Sequence, residues 1–507
     1  MARPFRSVLA AFLSLATCAL LPAAASSAAA DTVVIAQGVD ASTLDPLKLS
    51  ITADTNVQSQ MFDPLAKRDA SGKLVPVLAT SWGRISPTVW RFRLRKDVKF
   101  WNGDPFTSAD VKFTVEKIQD PAYHSQQDTR VDTVARVETP ETYTVDMVTK
   151  RPTPLPPAIT RQIFIVDSKY WMQHGDQYMV EHPMGTGAYL FKEWVKDDRV
   201  TLEGNPNYFG GEPKIKHVIL RPIPDGATRV SALRAGEVDL ITNVPFQYAL
   251  ILTGGQNTRM TSARSDRILY VAFNLRQPGP QNNKLVRQAL NYALDVPLLI
   301  KSVLGGRAFE DPEPIPPNYF GYDPRIKPYV HDLAKARALL AEAGFPDGKG
   351  LSLVLNGPIG RYAADKELTQ AIAAQLSATG ATVTPHSQEW TSYIQQANRR
   401  ALVNMFMLGW GNITYDADNT LAAQLNSNGL TSTYHDEQVD KWTDDAKYEL
   451  DPKKREALYH KIFEKIRDDA PWLFLFQYED LYATSKRLQW DARSDEYIYC
   501  VDMKLRA

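Results

Sequence analysis

The stretch LSLVLNGPIGRYAADKELTQAIAAQLSATGATVTPHSQEWTSYIQQANRRALVNMFMLGW, residues 351–410, decides the fold class. It opens on an apolar run at 351–355 and continues in a helical pattern over 363–379 that Gly380 closes. It returns to strand-like residues at 381–384, turns helical again over 391–400 and ends in the run 403–410. Strand, helix, strand, helix, strand is a doubly wound unit, and such sheets bind ligands beyond the carboxyl ends of their strands. The loops after Leu355 and after Leu408 are therefore the expected walls of a site.

Working outward, further strand-like runs at 33–36, 218–220, 269–274 and 472–477 alternate with well-marked helices. Asp295 with Pro297, Asp332 with Gly344 twelve residues on, and Asp451 with Pro452 all carry helix start or stop signals. In VWRFRLR (89–95) apolar and charged residues alternate, the pattern of a half-buried strand. WNGDPF (101–106) supplies an Asn-Gly turn, and Thr107 to Asp110 has capping-box spacing ahead of Val111, Phe113 and Val115. At roughly 100–200 residues per domain, a chain this long holds several folding units. No repeat or flexible linker separates them, so the units are expected to interleave.

The N-terminus reads as a secretory leader: Arg3 and Arg6, an apolar run over 8–21, then small residues at 23–30 with Ala28 and Ala30 in the A-x-A positions, so cleavage is expected before Asp31. The apolar run is too short for the roughly 20 residues that span a bilayer, and no later run is longer. The mature protein is expected to be soluble and exported. Thr17 and the apolar residues at 19–21 suit lipid attachment at Cys18 poorly. Cleavage leaves Cys500 as the one cysteine, which rules out an internal disulfide. Lys plus Arg (58) balances Asp plus Glu (58), so no long-range field draws the chain to nucleic acid or to an anionic membrane. Its partners must be recognised locally.

A search for chemistry finds no G-x-S-x-G elbow, H-E-x-x-H, C-x-x-C or P-loop. The eight histidines are scattered, none at i, i+4 on a helix. Gly185-Thr186-Gly187 leads into strand-like YLF where a dinucleotide loop needs a helix, and Asp416-Ala-Asp418-Asn419 lacks the glycine and distal Glu of a calcium loop. No catalytic residue, metal ligand or cofactor is expected.

A series of spaced blocks carries more information. LDP (44–46), MFDPL (61–65), PVLATSW (76–82), WRFRLRKDVKFWNGDPFTSADVKF (90–113), PMGTGAYLFKEW (183–194) and AFNLRQPGPQNNKLVRQALNYALD (272–295) occur in order. In them, and over nearly the whole mature chain, the sequence resembles the family 5 bacterial extracellular solute-binding proteins, which serve peptide, nickel and opine ABC importers. The resemblance implies an α/β fold: the large three-domain, two-lobed periplasmic-binding-protein clamp, with doubly wound mixed sheets and a double hinge crossing. After the leader (1–30), lobe I is expected at 31–272 with an inserted subdomain at about 66–183, lobe II at 273–485, and a C-terminal return to lobe I at 486–507. It further implies a monomer in the periplasm that closes on a peptide or peptide-like small molecule and delivers it to an inner-membrane ABC permease. A nickel, haem or opine receptor of the same fold is the alternative. An exported hydrolase lacks the residues it would need.

In dipeptide-binding members an arginine grips the ligand carboxylate and an aspartate anchors its amine. The resemblance puts Arg361 in the first role, and its loop, GPIGRYAADKE, also follows the strand at 351–355 as a site loop should. At the second position stands Ile413, which cannot pair with an ammonium, so Asp416 or Asp418 would have to substitute. An N-blocked peptide, a longer oligopeptide and an opine-like conjugate stay open as ligands. Trp410, Tyr415, Trp390 and Tyr393 are candidate ligand-enclosing aromatics, and Asn412 lies in the same segment. Asn274 and Thr52 complete the candidate ligand-binding set, mainly on family position.

Overall fold

A computed structural model describes residues 31–48, 51–69, 72–154, 156, 163–411 and 414–506; the leader, Asn412 and Ile413 lie outside the described residues. The stretch 351–410 folds as its pattern predicts. Strand Ser352–Ile359 is flanked in parallel by Thr382–Glu389 and Met405–Gly411, and helices Asp365–Ser377 and Trp390–Asn398 make the crossovers. The apolar runs face inward: Leu353, Leu355, Met405 and Met407 share a core with Leu368, Ile372 and Leu376 of the first helix. Gly380 (φ +97°) follows that helix because a side chain there would meet the Asp347 carbonyl oxygen at 2.0 Å.

This unit forms one end of an 11-stranded mixed sheet. At the other end, Thr32–Gln37 runs parallel to His217–Pro222 and Leu240–Ile241, and two antiparallel strands, Arg199–Gly204 and Tyr189–Val195, close the edge. Two long antiparallel strands, Thr258–Phe273 and Trp472–Ser485, join the halves. Their ladder breaks register between Arg264 and Ile268. After the break, Leu269, Val271, Phe273, Leu473 and Leu475 enter the core around 351–410, whereas Leu481 and Ala483 enter a separate core with Val34 and Ile241. The chain thus passes between two lobes twice, on paired strands. The boundaries expected at 272/273 and 485/486 fall at the far ends of these strands, and the register break lies inside them. In the C-terminal segment Ile498, Cys500 and Met503 are buried in one core with Val33, Val57 and Leu202.

A four-stranded antiparallel sheet, Ala79–Ser86, Val89–Leu94, Thr144–Thr149 and Val134–Glu141, stands apart from the main sheet. In Val89–Leu94, Phe92 and Leu94 are buried while Arg91 forks onto Asp146 at 2.7 and 2.6 Å. Helix Ser108–Gln119 packs beside it, opened by the Thr107 and Asp110 capping box that the spacing predicts.

Three buried carboxyls give the fold a pH signature. Burial raises Asp54 and Asp311 to about 8 and Glu313 to about 9. The folded state therefore binds protons that the unfolded chain has released at neutral pH, and stability falls as pH rises through the folded values. The melting temperature is expected to drop steadily from pH 6 to pH 9. A flat profile over that window would show these carboxyls to be ionised and compensated.

Candidate ligand-binding site

The loop after Ile359 and the strand end at 408–411 face the first lobe across a cleft of about 1140 Å³ that is partly open to solvent. Asp365 organises that loop. Its carboxylate accepts from the backbone N–H groups of Gly360, Arg361, Tyr362 and Lys366 at 3.3, 2.8, 2.9 and 2.9 Å. Burial raises its pKa to about 6 despite those bonds. The loop so fixed sends Arg361 and Tyr362 into the cavity wall. It also approaches the other lobe at backbone distance: a side chain on Gly38 would meet the Gly360 carbonyl oxygen at 2.1 Å. The lobes are closed on each other.

At the floor, four side chains from four segments converge. Arg267, just past the register break, donates to Glu496 from Nε at 2.6 Å and from Nη2 at 3.0 Å, to Thr52 Oγ1 at 2.9 Å and to the Gly409 carbonyl at 2.7 Å. Arg361 donates from Nη2 to the same Thr52 oxygen at 3.1 Å, and its nearest carboxylate oxygen, on Glu496, is 3.8 Å away. Burial, then the charge of Arg267, pull the Arg361 pKa below the ordinary guanidinium value. Burial works to raise Glu496, but Arg267 and Arg361 hold it down at about 2. Behind them Asp480 is raised to about 8, first by burial and then by Glu496. Three arginines, Arg130, Arg267 and Arg361, and three carboxylates, Asp266, Asp495 and Glu496, line the cavity, and Arg493 pairs with Asp495 from behind at 2.7 Å.

Aromatic and apolar surface forms the sides. Trp390 stands edge-on to Tyr362 at 6.1 Å, and Trp410 is held through Nε1 by Asn419 Oδ1 at 3.0 Å. Thr52, Trp390, Arg361 and Trp410 of the sequence-based set thus stand in the cavity wall. The rest of the described candidates do not. Asn274 is fully buried and donates to the carbonyls of Arg400 and Leu402 at 3.0 and 2.7 Å. Tyr393, also fully buried, spends its hydroxyl on the Asn356 and Met407 carbonyls. Asp416 caps a short helix and is gripped by both terminal nitrogens of Arg455 at 2.5 and 2.8 Å, with Tyr459 Oη at 2.9 Å. Its partner Asp418 is buried nearby, beside Lys447. Tyr415 bonds Asp266 Oδ2 at 2.7 Å and carries Arg68 over its ring at 4.1 Å, which makes it a tie between lobes.

Other ties lie along the rim. Lys447 Nζ meets Asp132 Oδ2 at 2.7 Å, Arg151 meets Asp444 at 2.7 Å, Thr153 donates to the Lys447 carbonyl at 2.9 Å, and Asn398 donates to Gln126 at 2.9 Å. Arg267, Glu496 and Arg130 are wall residues that the sequence reading missed. The available signal was Asp266-Arg267 set directly against the apolar run ILYVAF, a charged pair where a strand should be dry.

A family model described as bacterial extracellular solute-binding proteins, family 5 Middle, matches residues 73–432. The chain belongs to this family. As a family 5 solute-binding protein it is 30% identical over 478 residues to the glutathione-binding protein GsiB of Shigella boydii serotype 4 (strain Sb227), covering 91% of each chain. It superposes with a TM-score of 0.85 on the ABC transporter-associated periplasmic binding protein DppA of Helicobacter pylori, solved with the peptide STSA, at 25% identity over 94% of this chain and 98% of that one. The oligopeptide-binding protein AppA of Bacillus subtilis, solved with a nonapeptide, gives 0.88 at 23% identity, covering 94% and 99%. The two-lobed fold is therefore that of family 5. No helix among the described residues is long and apolar enough to cross a membrane, and no group of three or more His, Cys, Asp or Glu among them is placed to hold a metal ion.

Proposed function

We propose that this family 5 protein is the periplasmic substrate-binding component of an ABC importer, and that it captures a peptide or peptide-like solute with a free carboxylate and hands it to an inner-membrane permease. The observation that carries the reading is Arg361: a buried guanidinium in the cavity wall with five donors, one hydrogen bond and a nearest carboxylate oxygen 3.8 Å away. A ligand carboxylate completes it. Relatives named for glutathione and peptide binding support that class. The protein is a carrier and not an enzyme, because the acids of the wall are tied to Arg267, Arg493 and Tyr415 and none is poised as a base. It works as a monomer, starting at Asp31 after removal of its leader.

Native mass spectrometry on protein purified undenatured from the periplasm tests this reading. The expected spectrum shows the mature chain plus an organic adduct of a few hundred daltons that fragments as a peptide or amino-acid conjugate. An adduct that is a metal ion or a haem, or turnover of a bound peptide, would overturn it.

A further inference from the structure

The polar floor of the cleft is assembled on one helix face. In helix Thr52–Met61, Thr52, Asn56 and Gln60 recur at i, i+4 and i+8 and so share a side. Along it lies the C-terminal segment: the Ile498 N–H donates to Asn56 Oδ1 at 3.1 Å and the Cys500 N–H to Gln60 Oε1 at 3.0 Å, while Val57, Met61, Ile498 and Cys500 share one core. The stripe continues to Thr52, which bonds Glu496, two residues before Ile498. Thr52 and Glu496 are thereby fixed to each other as one piece. A hydroxyl has one proton to donate and two lone pairs that accept. In Thr52 the proton goes to Glu496, and the lone pairs take Arg267 Nη2 at 2.9 Å and Arg361 Nη2 at 3.1 Å. The hydroxyl has no further bond to offer a ligand. The two arginines depend on it unequally. Arg267 also holds both Glu496 oxygens and the Gly409 carbonyl, whereas Thr52 is the one hydrogen-bond acceptor of the Arg361 guanidinium among the described residues. Beyond the long contact to Glu496, that guanidinium is bounded by the rings of Tyr362 at 4.9 Å and Trp390 at 5.6 Å, and neither ring fixes which of its edges faces the cleft.

We infer that Thr52 is a positioning residue: it does not bind the ligand but turns the Arg361 guanidinium so that its remaining donors present a fork to the ligand carboxylate. The bond joins side chains from opposite sides of the cleft, so opening the cleft breaks it, and Arg361 is oriented for a carboxylate only in the closed form. This rests on the reading of Arg361 above. It replaces the ligand contact that family position suggested for Thr52.

Calorimetric titration with Ala-Ala-Ala and with Ala-Ala-Ala-Ala, each against its C-terminal amide, tests it, because only the acid can use an oriented Arg361. The native protein is expected to prefer the acid of at least one pair by roughly tenfold or more, the scale of a close charge pair. Thr52→Val, which keeps the shape and removes the hydroxyl, is expected to cut that preference by about tenfold, the scale of one hydrogen bond to a charged group. It is expected to bind the amide as the native protein does, which also reports that it is folded, and Thr52→Ser to restore the preference. In an Arg361→Ala background Thr52→Val is expected to change nothing further. Equal losses for acid and amide would make Thr52 a ligand contact or a structural residue, and a loss that persists without Arg361 would route its effect through Arg267 or Glu496. Either result overturns the inference, as does a preference untouched in Thr52→Val, and each leaves the reading of Arg361 standing. If the native protein binds acid and amide alike, or binds none of the four, the reading of Arg361 fails and takes this inference with it.

Discussion

Arg361→Ala is expected to weaken binding of a carboxylate-bearing peptide by about 2–5 kcal/mol, the usual loss when one partner of a buried, hydrogen-bonded charge pair is removed. At about 1.4 kcal/mol per tenfold this is a factor of roughly 30 to several thousand in Kd. The same change is expected to leave the melting temperature of the ligand-free protein unchanged or raised. Without ligand, Arg361 is a desolvated cation beside a second cation, Arg267, with one hydrogen bond to Thr52 and only a long ion pair, 3.8 Å, to a Glu496 that Arg267 holds at closer range. Deleting it relieves a cost of burial rather than a favourable contact. Arg361→Lys would keep the charge and lose the planar fork, so it is expected to recover only part of the affinity. Titration calorimetry and thermal melting, run on both variants with the tightest peptide found for the native protein, check this. A Kd unchanged in Arg361→Ala would remove Arg361 from the ligand, and a large loss of stability with it would make the residue a structural one.

The parts of the molecule that were legible in the sequence are those in which local chemistry and tertiary packing ask for the same residues. The unit at 351–410 is one case, since its buried strands need apolar runs and its helices need caps. Thr107 with Asp110 is another. The long strands Thr258–Phe273 and Trp472–Ser485 were legible only in their apolar portions, 269–273 and 472–477. The remainder carries Asp266, Arg267, Glu479 and Asp480, which strand propensity argues against. Those charges stand there because the strands cross beneath the cavity, and the acids and bases neutralise one another across segments more than 200 residues apart, as Arg267 does with Glu496. No local pattern reports such a pairing. The same holds for Asp416, whose partner Arg455 comes from a later helix, and for Asn274, whose amide is turned onto backbone carbonyls of a neighbouring loop.

Glu496→Gln is expected to act in the opposite sense to Arg361→Ala. Glu496 arrives from the C-terminal segment of the first lobe, grips Arg267 with both oxygens and is the nearest carboxylate to Arg361, so it is the counter-charge for two buried guanidiniums at once. Neutralising it leaves both without an adjacent anion, and breaking a buried pair in this way costs about 3–5 kcal/mol. The ligand-free variant is therefore expected to melt well below the native protein. An anionic ligand then supplies the missing charge, so its stabilisation of the variant is expected to exceed its stabilisation of the native protein under equal ligand excess. The pH dependence fixes the cause. Because the Glu496 pKa is depressed on folding, from an ordinary 4.5 to about 2, its contribution is complete above the ordinary value and is lost as pH falls through the depressed one. The melting temperatures of native and variant proteins are thus expected to differ most at neutral pH and to converge as pH approaches about 2, where Glu496 gains the proton that glutamine mimics. A gap that persists at full width down to that pH would mean that Glu496 acts by shape and not by charge.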